Sequence, residues 1–244
     1  MAEPHSHSLK DQTPWYWDPF DLFKDADEEA SHAFFAAALK HDYARRDYIF
    51  MANDAGQRIF FLESGVVKIF DLSSSGGETI FWYCFPHDVF GAGGISGSLL
   101  QSVHAQAVEP STVYVLSRGD FEDILKRFPQ LAINVVRLMG ARLRLACDSM
   151  VALAEQRTEL RLARVLLRLA HNYGMRVEGH VALRMRVSNQ ELAGMIGSSR
   201  QTVNSLLHEF ESNGWVRLEG RTLSIVSIGD LQEMLNSDST ESSR

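Results

Sequence analysis

Cysteine is almost missing from this chain of 244 residues, which carries only Cys84 and Cys147. Two thiols exclude a disulfide framework, a four-cysteine zinc site and a cysteine-held iron–sulfur cluster. They remain as small buried hydrophobes or as thiols for redox control. No apolar run approaches the roughly 18 residues of a membrane span. The first twenty residues lack the basic-then-apolar order of a secretory signal, so a cytoplasmic location without membrane contact is expected. The His-x-His pair at His5 and His7 lies near the N-terminus, and none followed by a glutamate lies among the strand-like runs. This argues against a metal-dependent cupin-type enzyme, which needs two or three histidines and a carboxylate converging on one metal.

Lysine is absent after Lys126. Residues 131–244 hold 14 cations, all arginine, against 12 acidic residues, a net of +2; residues 1–130 hold 10 against 19, a net of −9. The whole chain sums to −7, which by itself disfavours a nucleic-acid partner. The asymmetry points the other way, to an acidic sensor half and a nucleic-acid-reading half, because the planar arginine fork pairs with phosphates and guanine edges.

What is present changes texture along the chain. An acidic run, Asp25-Ala26-Asp27-Glu28-Glu29, opens a helix expected to continue through SHAFFAAALK, after a Trp15-Tyr16-Trp17 cluster. Residues 45–118 break into apolar-rich runs (YIFMAND, RIFFLES, VVKIFDL, TIFWYCF, HAQAV, TVYVLS) separated by turn residues, as in an antiparallel sandwich or barrel. SSSGGE reads as a hairpin tip. FEDILKRF is a short helix stopped by Pro129, and residues 131–154 form a long helix. Its stripe of Leu131, Val135, Leu138, Leu145 and Ala152 suggests a seam for a partner helix, the alternative being a helix packed on its own β-domain. Residues 158–173 form another amphipathic helix, ended near Gly174, and MRVEGHVALRMRVS supplies two strand-like pieces.

Residues 188–210, SNQELAGMIGSSRQTVNSLLHEF, carry the strongest signal. Ser188-x-x-Glu191 is a capping box, and Gly197 suits the turn between two short helices. Ala193 is the small residue where they cross, and Leu192, Ile196, Val203, Leu206, Leu207 and Phe210 are apolar. The outer face of the second helix presents Arg200, Gln201, Asn204, Ser205 and His208, candidates for reading base edges. Asn189, Gln190, Ser199 and Thr202 are candidates for phosphate. SNGWVRLEGRTLSIVS then reads as two strands joined at Glu219-Gly220, a wing with Arg221 at its tip as a further phosphate contact.

With FLESGVVKIF, HDVFGAGG, ALAEQRTELRLARVLLRLA and QELAGMIGSSRQTVNSLLHEFESNGWV, residues 45–235 resemble the cyclic-AMP receptor and fumarate–nitrate reduction regulator family. The resemblance implies an α+β chain: an extension (1–30), a β-roll or double-stranded β-helix sensor of cyclic-nucleotide-binding type (31–128), a long dimerisation helix (129–156), a winged helix-turn-helix (157–236) and a disordered tail (237–244). It implies no enzyme but a homodimeric transcription regulator. The dimer joins through residues 131–154, binds a near-palindromic double-stranded operator and, in an activator, contacts RNA polymerase. Arg200 falls where the family has its guanine-reading arginine, while Gln201 and Ser205 replace a glutamate and a second arginine.

In VFGAGG, Ala92 stands where cyclic-nucleotide binders have a glutamate, and no Lys or Arg lies between Gly91 and Ser117. Ala146 and Cys147 replace the family's Thr-Ser contacts. A cyclic nucleotide is therefore not expected. The effector pocket is assigned to Phe90, Gly91, Ala92, Gly93, Gly94, Ile95, His104, Arg142, Ala146 and Cys147, for a small apolar or aromatic ligand. Phe81, Trp82, Tyr83 and Phe85 are pocket lining or plain strand core. No cofactor is expected. Haem, with His87, His104, Cys84 or Cys147 as axial ligand, is the alternative.

Overall fold

The computed structural model describes residues 13–74, 76–91, 99–220 and 222–241. They form two compact units, one from the described residues of 19–140 with 187–205, the other from 13–18, 141–186 and the described residues of 206–241.

The first unit opens with α1 (Glu28–Ala37), whose acidic first turn complements the helix dipole. Eight strands follow: β1 (Leu39–Tyr43), β2 (Tyr48–Phe50), β3 (Arg58–Ser64), β4 (Val67–Leu72), β5 (Glu78–Cys84), β6 (Val89–Phe90), β7 (His104–Ala107) and β8 (Ser111–Ser117). They build two antiparallel four-stranded sheets, ordered β1-β8-β3-β6 and β2-β7-β4-β5. In register, Ile59 faces Leu116, Phe61 faces Tyr114, and Val67 faces Cys84. The apolar runs named from the sequence contain these strands, and the expected hairpin tip SSSGGE falls at the β4–β5 connection, with Ser75 outside the described residues. Two strands escape that reading. β1 occupies the end of the expected first helix, and β6 is the Val89-Phe90 start of VFGAGG. β1 is polar and almost wholly exposed, so its sequence carries no alternating pattern.

After α2 (Arg118–Arg127), Pro129 does more than stop a helix: it is the first residue of α3 (Pro129–Glu155), where its missing N–H costs nothing. One core of this unit joins Phe34 of α1, Ile59 and Phe61 of β3, Phe121 and Ile124 of α2, and Leu131, Val135 and Leu138 of α3. Aromatic pairs tighten it, with Phe34 and Phe61 centroids 5.4 Å apart. Asn134, also buried, donates to the carbonyls of Leu22 and Lys24 at 2.8 Å each, and so ties the chain before α1 to α3.

That core corrects the reading of α3. Leu131, Val135, Leu138 and Ala152 are buried within the chain itself, so their stripe is not free for a partner helix. A second stripe is exposed: Val136 at 71%, Leu143 at 67% and Met150 at 69%, spaced by seven residues and flanked by the exposed Ile133 and Cys147.

The second unit contains the later part of α3, α4 (Thr158–Tyr173) with its apolar face buried, and a sheet ordered β11-β12-β10-β9. Its strands are β9 (Gly174–Val177), β10 (His180–Leu183), β11 (Val216–Glu219) and β12 (Thr222–Ile225). The chain ends in α7 (Ile228–Glu241), which replaces most of the expected disordered tail; residues 242–244 lie outside the described residues.

Candidate nucleic-acid interface and effector cassette

The helix-turn-helix is built from local rules. Ser188 Oγ accepts from the Glu191 N–H at 3.2 Å, and Glu191 Oε2 accepts from the Ser188 N–H at 2.8 Å, which closes the expected capping box. α5 (Asn189–Ile196) ends at Gly197, whose φ of 61° and ψ of 48° lie in the left-handed region that glycine enters without steric cost. Ser199 then starts α6 (Arg200–Ser212) by accepting from the Thr202 N–H at 3.0 Å. Leu192, Ala193, Ile196, Val203, Leu207 and Phe210 are buried as expected, while Leu206 is only half-buried. The wing follows, with Leu218 facing Leu223 across β11 and β12. Glu211 of α6 anchors it by accepting from the Leu218 N–H at 3.0 Å. Arg221, assigned to the wing tip, lies outside the described residues.

Arg200, Gln201, Asn204, Ser205 and His208 are all exposed on α6, and Gln190 is exposed on α5. Some are already engaged. Asn189 Nδ2 donates to Asn204 Oδ1 at 3.0 Å, so the phosphate candidate on α5 holds a base-reading candidate on α6. No spacing rule exposes that pair, because it arises only when the two helices cross. Ser199 Oγ and Thr202 Oγ1 lie 2.8 Å apart, so both hydroxyls serve the helix start. Ser205 Oγ donates to the Gln201 carbonyl at 3.2 Å, and His208 Nδ1 lies 3.6 Å from Glu211 Oε2.

In the sensor, Gly91 keeps the turn of the cassette: its φ is +92°, and a Cβ there would lie 2.7 Å from the Phe60 ring and 2.9 Å from the Arg58 carbonyl. Ala92, Gly93, Gly94 and Ile95 lie outside the described residues. Phe90 is buried and stacked on Phe60 at 5.3 Å, part of a core with Phe50, Leu62, Val67, Ile69 and Cys84. Tyr83 is buried as well, while Phe81 is 38% exposed. His104 accepts from the Ala52 N–H at Nδ1, 3.3 Å away, and stacks on Phe70 at 5.2 Å. Lys68 is a buried cation of β4, held by Glu78 at 2.5 Å and lying over the Phe70 ring. Arg142, Ala146 and Cys147 lie on the part of α3 that belongs to the second unit, and Ala146 and Cys147 are exposed there. Among the described residues no group of three or more His, Cys, Asp or Glu is placed to hold a metal ion.

A β-roll, a long helix, and a capped helix pair with a polar outer face and a wing define a DNA-binding transcription regulator. Residues 40–128 match the cyclic nucleotide-binding domain, and residues 160–234 match the Crp-like helix-turn-helix domain. The chain is 30% identical over 192 residues to the cyclic AMP receptor protein of Thermus thermophilus, covering 79% of this chain and 86% of the relative. It is 27% identical over 184 residues to a CRP-like cAMP-activated global transcriptional regulator of Mycobacterium tuberculosis, covering 75% and 82%. The structure of a CooA mutant from Carboxydothermus hydrogenoformans shares the fold, with a TM-score of 0.73 at 24% identity, over 89% of this chain and 97% of that one. The chain belongs to the CRP/FNR family of transcription regulators and is not an enzyme. Among the described residues no helix is long and apolar enough to cross a membrane.

Proposed function

We propose that the chain acts in the cytoplasm as a homodimer on a near-palindromic operator, and that its sensor answers to a neutral, largely apolar ligand rather than to a cyclic nucleotide. Dimerisation uses the exposed Val136, Leu143 and Met150 stripe, whose heptad spacing suits a two-helix seam. Two recognition helices then meet the duplex one turn apart, about 34–36 Å. Arg200, Gln201, Asn204, Ser205 and His208 face base edges, while Gln190, Ser199, Thr202 and Arg221 face phosphates.

The observation that carries the ligand assignment is the stretch from Gly91 to Ser117, which holds no cation, while the nearby buried Lys68 is already paired with Glu78. A cyclic phosphate buried there would go unneutralised, at a cost of several kcal/mol. The relatives named for cyclic AMP therefore do not pass that ligand to this chain. Added cyclic AMP is expected to leave operator affinity, read by fluorescence anisotropy, unchanged. A shift of about fivefold or more, the scale of an allosteric effector, would overturn the assignment. We also read the sensor as haem-free, because His104 has its ring stacked and its Nδ1 engaged, Cys84 is packed in the core, and His87 Nδ1 lies 3.7 Å from Asp21.

Asn189 enters this reading as a positioning residue for Asn204. Asn189→Ala is expected to reduce discrimination at the base pair beneath Asn204 by about 1 kcal/mol, roughly fivefold. Competition binding with all four base pairs at each operator position checks this. A uniform loss across sequences would instead mark a plain phosphate contact.

A further inference from the structure

The Trp-Tyr-Trp cluster has no part in DNA reading, yet it is not a loose tail. Residues Trp15–Trp17 form a 3-10 turn closed by the Trp17 N–H donating to the Pro14 carbonyl at 2.9 Å. Trp17 is 7% exposed, and the turn packs on α4. The Tyr16 hydroxyl donates to one carboxylate oxygen of Asp148 on α3, whose other oxygen accepts from Arg144 Nε at 3.0 Å. The Arg144 guanidinium lies 6.0 Å from the Tyr16 ring centre, within reach of a cation–π contact. Two residues on, Asp18 Oδ1 lies 3.0 Å from Nε2 of His171, near the far end of α4, where the histidine is almost wholly buried. Burial first, and then the hydrogen bond to Asp148, raise the Tyr16 pKa above the ordinary phenol value.

These contacts bracket a joint. α3 ends at Glu155 and α4 begins at Thr158, so only Gln156 and Arg157 separate them. The joint's own bonds are local: the Gln156 N–H donates to the Ala152 carbonyl, Arg161 Nη1 donates to the Gln156 carbonyl at 2.8 Å, and Arg157 Nη1 lies 3.2 Å from Glu159 Oε1. A segment fastened to α3 at Asp148 and to α4 at His171 cannot stay fastened at both if the angle between the helices changes.

We propose that Pro14–Asp18 is a strap that holds the α3–α4 joint at one angle and thereby sets the affinity for DNA. The part concerning affinity rests on the DNA-binding reading above; the part concerning the joint does not. In the full-length chain, Tyr16→Phe with Asp18→Leu keeps the approximate size of both side chains and removes the strap's polar attachments to Asp148 and His171. Hydrogen–deuterium exchange of the amides from Gln156 to Arg161 should become about ten- to a hundredfold faster, the factor for losing one charge-assisted hydrogen bond. The amides of β3 and β8 should stay protected, which reports that the fold is intact. Operator affinity should shift by about 2- to 30-fold, the range for a residue that modulates coupling without touching ligand. Unchanged exchange at the joint would overturn the strap. Faster exchange with unchanged operator affinity, in a protein that still prefers its operator over random DNA, would overturn its regulatory role alone. If the double variant loses protection in β3 and β8, Asp18→Leu by itself tests the same joint with one attachment cut.

Discussion

Leu143→Glu is expected to leave a folded monomer that no longer holds its operator. Leu143 is 67% exposed in the single chain, so the substitution removes little from the chain's own core, and far-UV circular dichroism should still report the folded chain. In a parallel two-helix seam the same position meets its own copy across the axis. The change therefore deletes two buried leucines, about 3–6 kcal/mol by burial alone, and sets two carboxylates against each other in a desolvated place. Val136 and Met150, one heptad to either side, cannot offset such a loss. Light scattering after gel filtration gives the mass, and anisotropy with a labelled palindrome gives the binding. A Leu143→Glu protein that stays dimeric and binds as before would place the dimer interface elsewhere.

Arg200→Ala is the second large effect. Arg200 is exposed at the start of α6, where the helix geometry presents it outward and the Ser199 cap fixes the entry of the chain. A bidentate arginine–guanine pair contributes about 1–3 kcal/mol of discrimination. A homodimer reads two half-sites, so the loss on a full palindrome is about twice that, roughly 2–6 kcal/mol. Discrimination should collapse at one base pair in each half-site and persist at the others. An equal weakening on every sequence would move Arg200 from base to phosphate, and no weakening at all would remove it from the interface.

Much of this protein was legible because its rules are local. The β4–β5 hairpin follows from alternating apolar runs around a glycine-rich turn. The capping box at Ser188 and Glu191, the left-handed Gly197 and the polar outer face of α6 follow from residues within one or two helical turns of each other. Backbone propensity and capping act over just that range.

Other features depended on what the chain meets in space. α3 carries two apolar stripes, through Leu131, Val135 and Leu138 and through Val136, Leu143 and Met150, and both recur at helical spacing. Periodicity shows that each is a stripe but not which one faces inward. The packing of Phe34, Phe61 and Phe121 decides it by burying the first and leaving the second exposed. β1 is an edge strand, hydrogen-bonded to β8 alone, so burial imposes no pattern on its residues. Tyr16 and Asp148 are 132 positions apart, Asp18 and His171 are 153 apart, and the Asn189–Asn204 bond needs two helices to cross. The sequence by itself determined six of the sensor's strands, the absence of Lys and Arg between Gly91 and Ser117 and the capped helix pair of the helix-turn-helix. Only the tertiary structure decided which face of α3 is exposed and where Tyr16 and Asp18 are bonded, because contacts between distant residues leave no period or spacing behind them.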